Sequence, residues 1–261
     1  MSKSLDLEVA YYHLPRRAGV REDQFARRTL SWSVPVEQAA LVLVDVWGDH
    51  YVATHRDRSR QITLERIIPV IEAFRNVGGT IIHAPSPDCA RKYSQWLQYA
   101  GDSETGAGGG GGQDDWPPAD FRARRGEYEQ FARPDEPADE EFDRIIAQRH
   151  IVPEVAPQAG DFVVVNGAQL HRLLKHRRML HLFYAGFAAN MCVPFRDYGM
   201  RAMKDRGYEV VLVRDGTSAI EVGDTYADFR LTEAAAIDVE LNIGYTVTSF
   251  DLVAACQPGQ G

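Results

Sequence analysis

Short, almost wholly apolar runs separated by helical patterns constrain this chain more than any other feature. AALVLVDVW (Ala39 to Trp47), TIIHAPSP (Thr80 to Pro87), DFVVV (Asp161 to Val165), HLFYAG (His181 to Gly186), YEVVLVRD (Tyr208 to Asp215) and GYTVTS (Gly244 to Ser249) each read as a strand. Strands this apolar are covered on both faces. Between the first two, ITLERIIPVIEAFRNVGG puts Ile67, Ile71 and Phe74 at helical spacing and stops at Gly78 and Gly79. ADFRLTEAAAIDVELNI supplies another amphipathic helix before the last strand. This alternation is the pattern of an α/β fold, a parallel sheet wrapped by helices.

The 261 residues, 44% of them apolar, suffice for one large domain or two small ones. Residues 1–36 are polar with scattered aromatics and read as an arm packed on the domain or on a neighbouring subunit. Residues 37–250 carry the strands, with a Gly-, Pro- and charge-rich insertion at about 101–140, and residues 251–261 form a tail. The Gly108–Gly112 run holds no single conformation unaided. The insertion is therefore a lid over the site or surface chain, with Trp116, Phe121 and Tyr128 favouring docking. A net charge of −8 argues against nucleic acid and anionic membrane as partners. Cys89, Cys192 and Cys256 are an odd number without ligand-type spacing, which disfavours a disulfide framework or a cysteine zinc site. The N-terminus is charged and lacks the apolar stretch of a signal peptide, and no apolar run approaches the roughly 20 residues of a membrane span. A cytoplasmic setting is expected.

Ligands of open parallel sheets bind at the carboxyl ends of the strands, near the switch in strand order. Asp45 ends the first run, His83 to Pro87 end the second, and Cys192 follows LHLFYAGF. The sequence predicts a helix from Val193 to Arg206, with Pro194 in its first turn and Gly207 at its end. A thiol at such a junction meets free backbone N–H groups and the positive end of a helix dipole, which favour thiolate. Trp47, His50 and Tyr51 follow the first strand and Phe187 precedes the thiol's turn, which predicts a partly aromatic pocket for a small molecule.

GFAANMCV (Gly186 to Val193), running into PFRDYGMRAMKDRGYEVVLVRDGTSA, closely resembles the nucleophile segment of the isochorismatase-like cysteine hydrolases. LVLVDVWGDH resembles their first-strand segment, and VGGTIIHAPSP and IVPEVAPQAGDFVVV fit the family's order and spacing. The resemblance implies a three-layer α/β/α sandwich with a mostly parallel six-stranded sheet, usually in homo-oligomers. It makes Cys192 the nucleophile, Asp45 the acid and base, and the amides of Ala188 and Cys192 the oxyanion hole. It also places a cis peptide between Phe187 and Ala188.

The family's triad lysine falls, by count from Asp161, on Asn166, and about seven further residues usual before the next helix are absent. His50 is the nearest substitute cation in sequence, with Arg91 and Lys92 as others; Lys175 reads as surface and His83 as a strand-end histidine. The family's metal site needs an Asp and two His after the second strand, where this chain has only Asp88 and Cys89. His171, His176 and His181 read as a helix face running into a strand, so no cofactor or metal is expected. The expected function is cysteine-dependent hydrolysis of a small amide or related C–N bond. A catalytically silent binding protein and a vinyl-ether hydrolase are the alternatives.

Overall fold

In the computed structural model, which describes residues 3–105, 116–134 and 136–257, the apolar runs become the parallel heart of one sheet. The strands are β1 (Ser4–His13), β2 (Ala26–Pro35), β3 (Ala39–Val44), β4 (Thr80–Ala84), β5 (Phe162–Val163), β6 (His181–Phe187), β7 (Glu209–Ser218) and β8 (Tyr245–Val247). Their order is β2-β1-β8-β7-β6-β3-β4-β5. All pairings from β8 to β5 are parallel, and these six strands are the six runs read from the sequence. The sheet has eight strands rather than six because the N-terminal arm adds an antiparallel hairpin, β1 with β2, against β8. Leu5, Leu7 and Val9 alternate inward along β1. Arg27 on β2 ties the hairpin down through a two-pronged bond to the buried Glu240, at 2.9 to 3.0 Å.

The principal helices are α1 (Ala53–Ile62), α2 (Ile68–Val77), α3 (Glu140–Gln148), α4 (Gly167–Arg177), α5 (Cys192–Phe195), α6 (Met200–Asp205), α7 (Arg230–Asp238) and α8 (Ser249–Ala255). β3 is buried on both faces, as its composition requires. Leu41 and Leu43 pack with Phe74 and Phe183 in one apolar layer, and Val42 and Val44 with Leu170, Leu173 and Tyr184 in the other. The helix foreseen over residues 193–206 is two short helices, α5 and α6, because Arg196 turns extended (ψ 158°) and Gly199 sits too close to the Val193 and Arg196 carbonyls for a side chain. At the C-terminal end α8 runs to Ala255, with Leu252 fully buried. Among the described residues no helix is long and apolar enough to cross a membrane.

The chain runs from β3 through β4 to β5 on one side of the sheet, then crosses to β6 on the other. The carboxyl ends of β3 and β6 thus flank the switch point, where an open α/β sheet forms its crevice.

Candidate active site

Two departures from regular strand geometry build the site. Asp45, directly after β3, takes a left-handed backbone (φ 47°), a conformation that a short polar side chain tolerates better than most. Its amide donates to Ala84 O (3.3 Å) and its carbonyl accepts from Trp47 N (2.9 Å), so the carboxylate is set on a fixed turn. Across the switch point, Gly186 (φ +116°) lets β6 pass close to β3: a Cβ there would fall 1.9 Å from the Val44 carbonyl oxygen. The Phe187–Ala188 peptide that follows is cis, at the position the resemblance implied. The next turn is tightly tied. Met191 and Val193 amides donate to Ala188 O (3.0 and 3.2 Å), and Ala189 N donates to Ser218 O (3.0 Å). The Asn190 side chain exchanges bonds with the Ile220 backbone at 3.1 Å each way. The amides of Ala188 and Cys192 are left out of these ties.

Asp45, Trp47, His50, Tyr51, Phe187, Ala188 and Cys192, all singled out from the sequence, line one cavity of about 190 Å³. His55, Ser59 and Ile220 complete its inner wall. The His50 ring stacks between Trp47 (6.0 Å) and Tyr51 (4.6 Å) and meets His55 edge-on at 5.0 Å. The cavity is therefore aromatic on one side, with the thiol and carboxylate on the other.

Burial raises the Asp45 pKa to about 6, against the opposing pull of the Cys192 thiol, the Arg196 charge and the Ser86 backbone. Neither carboxylate oxygen has a well-aligned hydrogen-bond donor. Burial, and then the facing Asp45 carboxylate, push the Cys192 thiol up to about 12, with Arg196 opposing. The helix start, which favours thiolate, offsets this in part at most. α5 is a single turn of four residues, too short to develop much dipole, so desolvation and the carboxylate prevail.

The cation beside the acid is Arg196, which the sequence reading did not single out. Its guanidinium lies 3.6 Å from the Asp45 carboxylate, and its amide donates to Cys192 O (3.1 Å), one helical turn on. That i, i+4 spacing was the available signal. Asn166, at the lysine's counted position, instead caps α4 by accepting from Gln169 N at 2.8 Å. The shortened connection leads straight into the helix. His50 cannot be the cation. Burial and the Arg149 charge lower its pKa to about 4, and its Nδ1 accepts from Val52 N at 3.0 Å. Arg91 lies over Trp96, and Lys175 is exposed in the last turn of α4. Lys92 donates to the carbonyls of Ala147 (3.0 Å) and Arg149 (2.6 Å). His83 is fully buried against Asp161 (3.4 Å), which also pairs with Arg75. His171, His176 and His181 pack separately, on Tyr208, Tyr99 and Trp32.

No described residue of the insertion is in the cavity lining; the segment that follows it is. Its Gly108–Gly112 run lies outside the described residues. Trp116 is 74% exposed, and Phe121 and Tyr128 pack on each other (5.2 Å) rather than on the cavity. Contact comes from the returning segment. Phe142 on α3 packs on Tyr51 (4.8 Å). Residues 150–152 are stitched to the loop after β3 by Gly48 N to His150 O and Val152 N to Val46 O, both 3.0 Å. Arg149 is thereby laid over the Trp47 ring, 3.8 Å from its centre, in the cavity wall.

The family model "Isochorismatase domain" matches residues 39–240. A cysteine hydrolase from Pseudomonas syringae pv. phaseolicola 1448A superposes with a TM-score of 0.55 at 15% identity, over 86% of this chain and 95% of that one. An isochorismatase family protein from Desulfovibrio vulgaris subsp. vulgaris str. Hildenborough gives 0.50 at 15% identity, over 82% and 96%. At such identities the likeness is one of fold. No curated protein matches the chain.

Proposed function

The chain belongs to the isochorismatase family, and on that premise we propose that it hydrolyses a small amide or related C–N bond through Cys192, with Asp45 as acid and base and Arg196 in place of the family's lysine. The observation that carries this reading is the Arg196 guanidinium 3.6 Å from the Asp45 carboxylate, where its charge also acts on Cys192. At neutral pH an acid of pKa about 6 is mostly ionised and a thiol of pKa about 12 is not. Attack and proton transfer are then coupled: Asp45 takes the thiol proton as Sγ bonds to the amide carbon. The amides of Ala188 and Cys192 hold the oxyanion, and Arg196 balances negative charge on sulfur and carboxylate. Asp45 returns the proton to the leaving nitrogen as the C–N bond breaks. Water, deprotonated by Asp45, then cleaves the thioester to acid and free thiol.

Ammonia release from a panel of small primary amides tests this. Activity should rise with pH through about 6, as Asp45 ionises, and stay level through neutrality. Cys192→Ala and Asp45→Asn should abolish it, and Arg196→Gln should lower kcat about 100-fold. Release that survives Cys192→Ala would sink the proposal. The raised Asp45 pKa also suits a second reading, protonation of a vinyl ether, in which that variant would keep its activity.

A further inference from the structure

Trp47 and Arg149 bring two hydrogen-bond donors to the cavity wall that have no acceptor. The Trp47 Nε1 and Arg149 Nε atoms are buried and unpartnered, yet both residues line the cavity that holds Asp45 and Cys192. Buried polar atoms in native proteins nearly always find partners, so an unmatched pair on two residues of one cavity wall points to a ligand. Arg149 is fixed in place: its carbonyl accepts from Lys92 at 2.6 Å and its guanidinium stacks on Trp47. Its charge is felt by Asp45 and Asp88, but among the described residues it forms no ion pair. Arg56, also in the lining, is already engaged with Asp57 (3.0 Å) and Asp49 (3.9 Å).

A guanidinium is charged at any working pH and presents a planar fork. The acceptor that matches a single such fork beside an indole N–H is a carboxylate. A phosphate dianion would face one free cation with the Asp45 carboxylate close by, so it fits less well. We propose that Arg149 and Trp47 form a carboxylate subsite, making the substrate a small amide that also bears a carboxylate. The cavity of about 190 Å³ is little larger than the ~150 Å³ that holds one benzene. The part of the substrate that the cavity encloses is therefore a single ring or a short chain. The amide half of this assignment rests on the hydrolase reading; the carboxylate half stands on binding alone.

Calorimetric titration of the Cys192→Ala protein with succinamate against succinamide, and malonamate against malonamide, tests it without turnover. The carboxylate member of each pair should bind about 10- to 100-fold tighter, the loss expected for one hydrogen bond to a charged group. Adding Arg149→Gln should erase the preference, and Arg149→Lys should keep only part of it. Equal affinities, a preference that survives Arg149→Gln, or no binding of either carboxylate at millimolar concentration would overturn the subsite. Arg149-dependent binding without ammonia release by the wild type would instead overturn the hydrolase reading alone. Ammonia release from the neutral amides, unaffected by Arg149→Gln, would do the reverse.

Discussion

Burial raises both Asp45 and Cys192, and Arg196 opposes each shift. The resting site is a neutral thiol beside a carboxylate, which protects the sulfur from casual chemistry and leaves its activation to the substrate's arrival. Iodoacetamide should therefore label Cys192 more slowly at neutral pH than a free cysteine of pKa about 8.5. Arg196→Gln should slow labelling further, by about tenfold, because it removes the charge that favours thiolate. His50→Ala should leave the rate unchanged, since a histidine of pKa about 4 is already neutral. Peptide mass spectrometry separates Cys192 from Cys89 and Cys256; labelling that inflects below about pH 8 would reveal a preformed thiolate. Asp45 and Cys192 were legible because strand ends and turn residues announce themselves. Arg196 was not, because a continuous helix read over its segment hid the single turn that aims it at the acid.

Among elements, the hairpin of β1 and β2 is the addition that the sequence held but that went unread. Leu5, Leu7 and Val9 carry the alternation of a half-buried strand, as do Trp32 and Val34 on β2. Amid polar neighbours, that period is easily taken for an unstructured arm, whereas the six parallel runs need no period to be seen. Arg27 is the hairpin's polar anchor to Glu240, whose side chain is 2% exposed. Arg27→Met should cost about 1–3 kcal/mol, with Arg214, 3.7 Å from Glu240, limiting the loss. Hydrogen exchange should show faster opening at the β1–β2 amides and unchanged protection in β3 and β6. Equal loss across the whole sheet would mean that the hairpin does not open separately.

For the molecule as a whole, strand order decides where chemistry gathers. The reversal between β3 and β6 sets the acid of one strand end against the thiol of the other, and the insertion's return lays Arg149 over the same crevice. Alternating apolar runs made the parallel sheet legible. Which cation reaches the site was not, since Arg149 arrives from a segment more than a hundred residues after the loop it packs on. Everything proposed for the site turns on a covalent intermediate at Cys192, formed with help from Asp45 and Arg196. Acid quenching of the protein during turnover of succinamate, followed by intact and peptide mass measurement, tests it most directly. The expected result is a mass increase equal to the acyl group, located on Cys192, absent from Cys192→Ala and strongly reduced in Arg196→Gln. Ammonia released at full rate with no adduct on Cys192, or with the adduct on another residue, would contradict it.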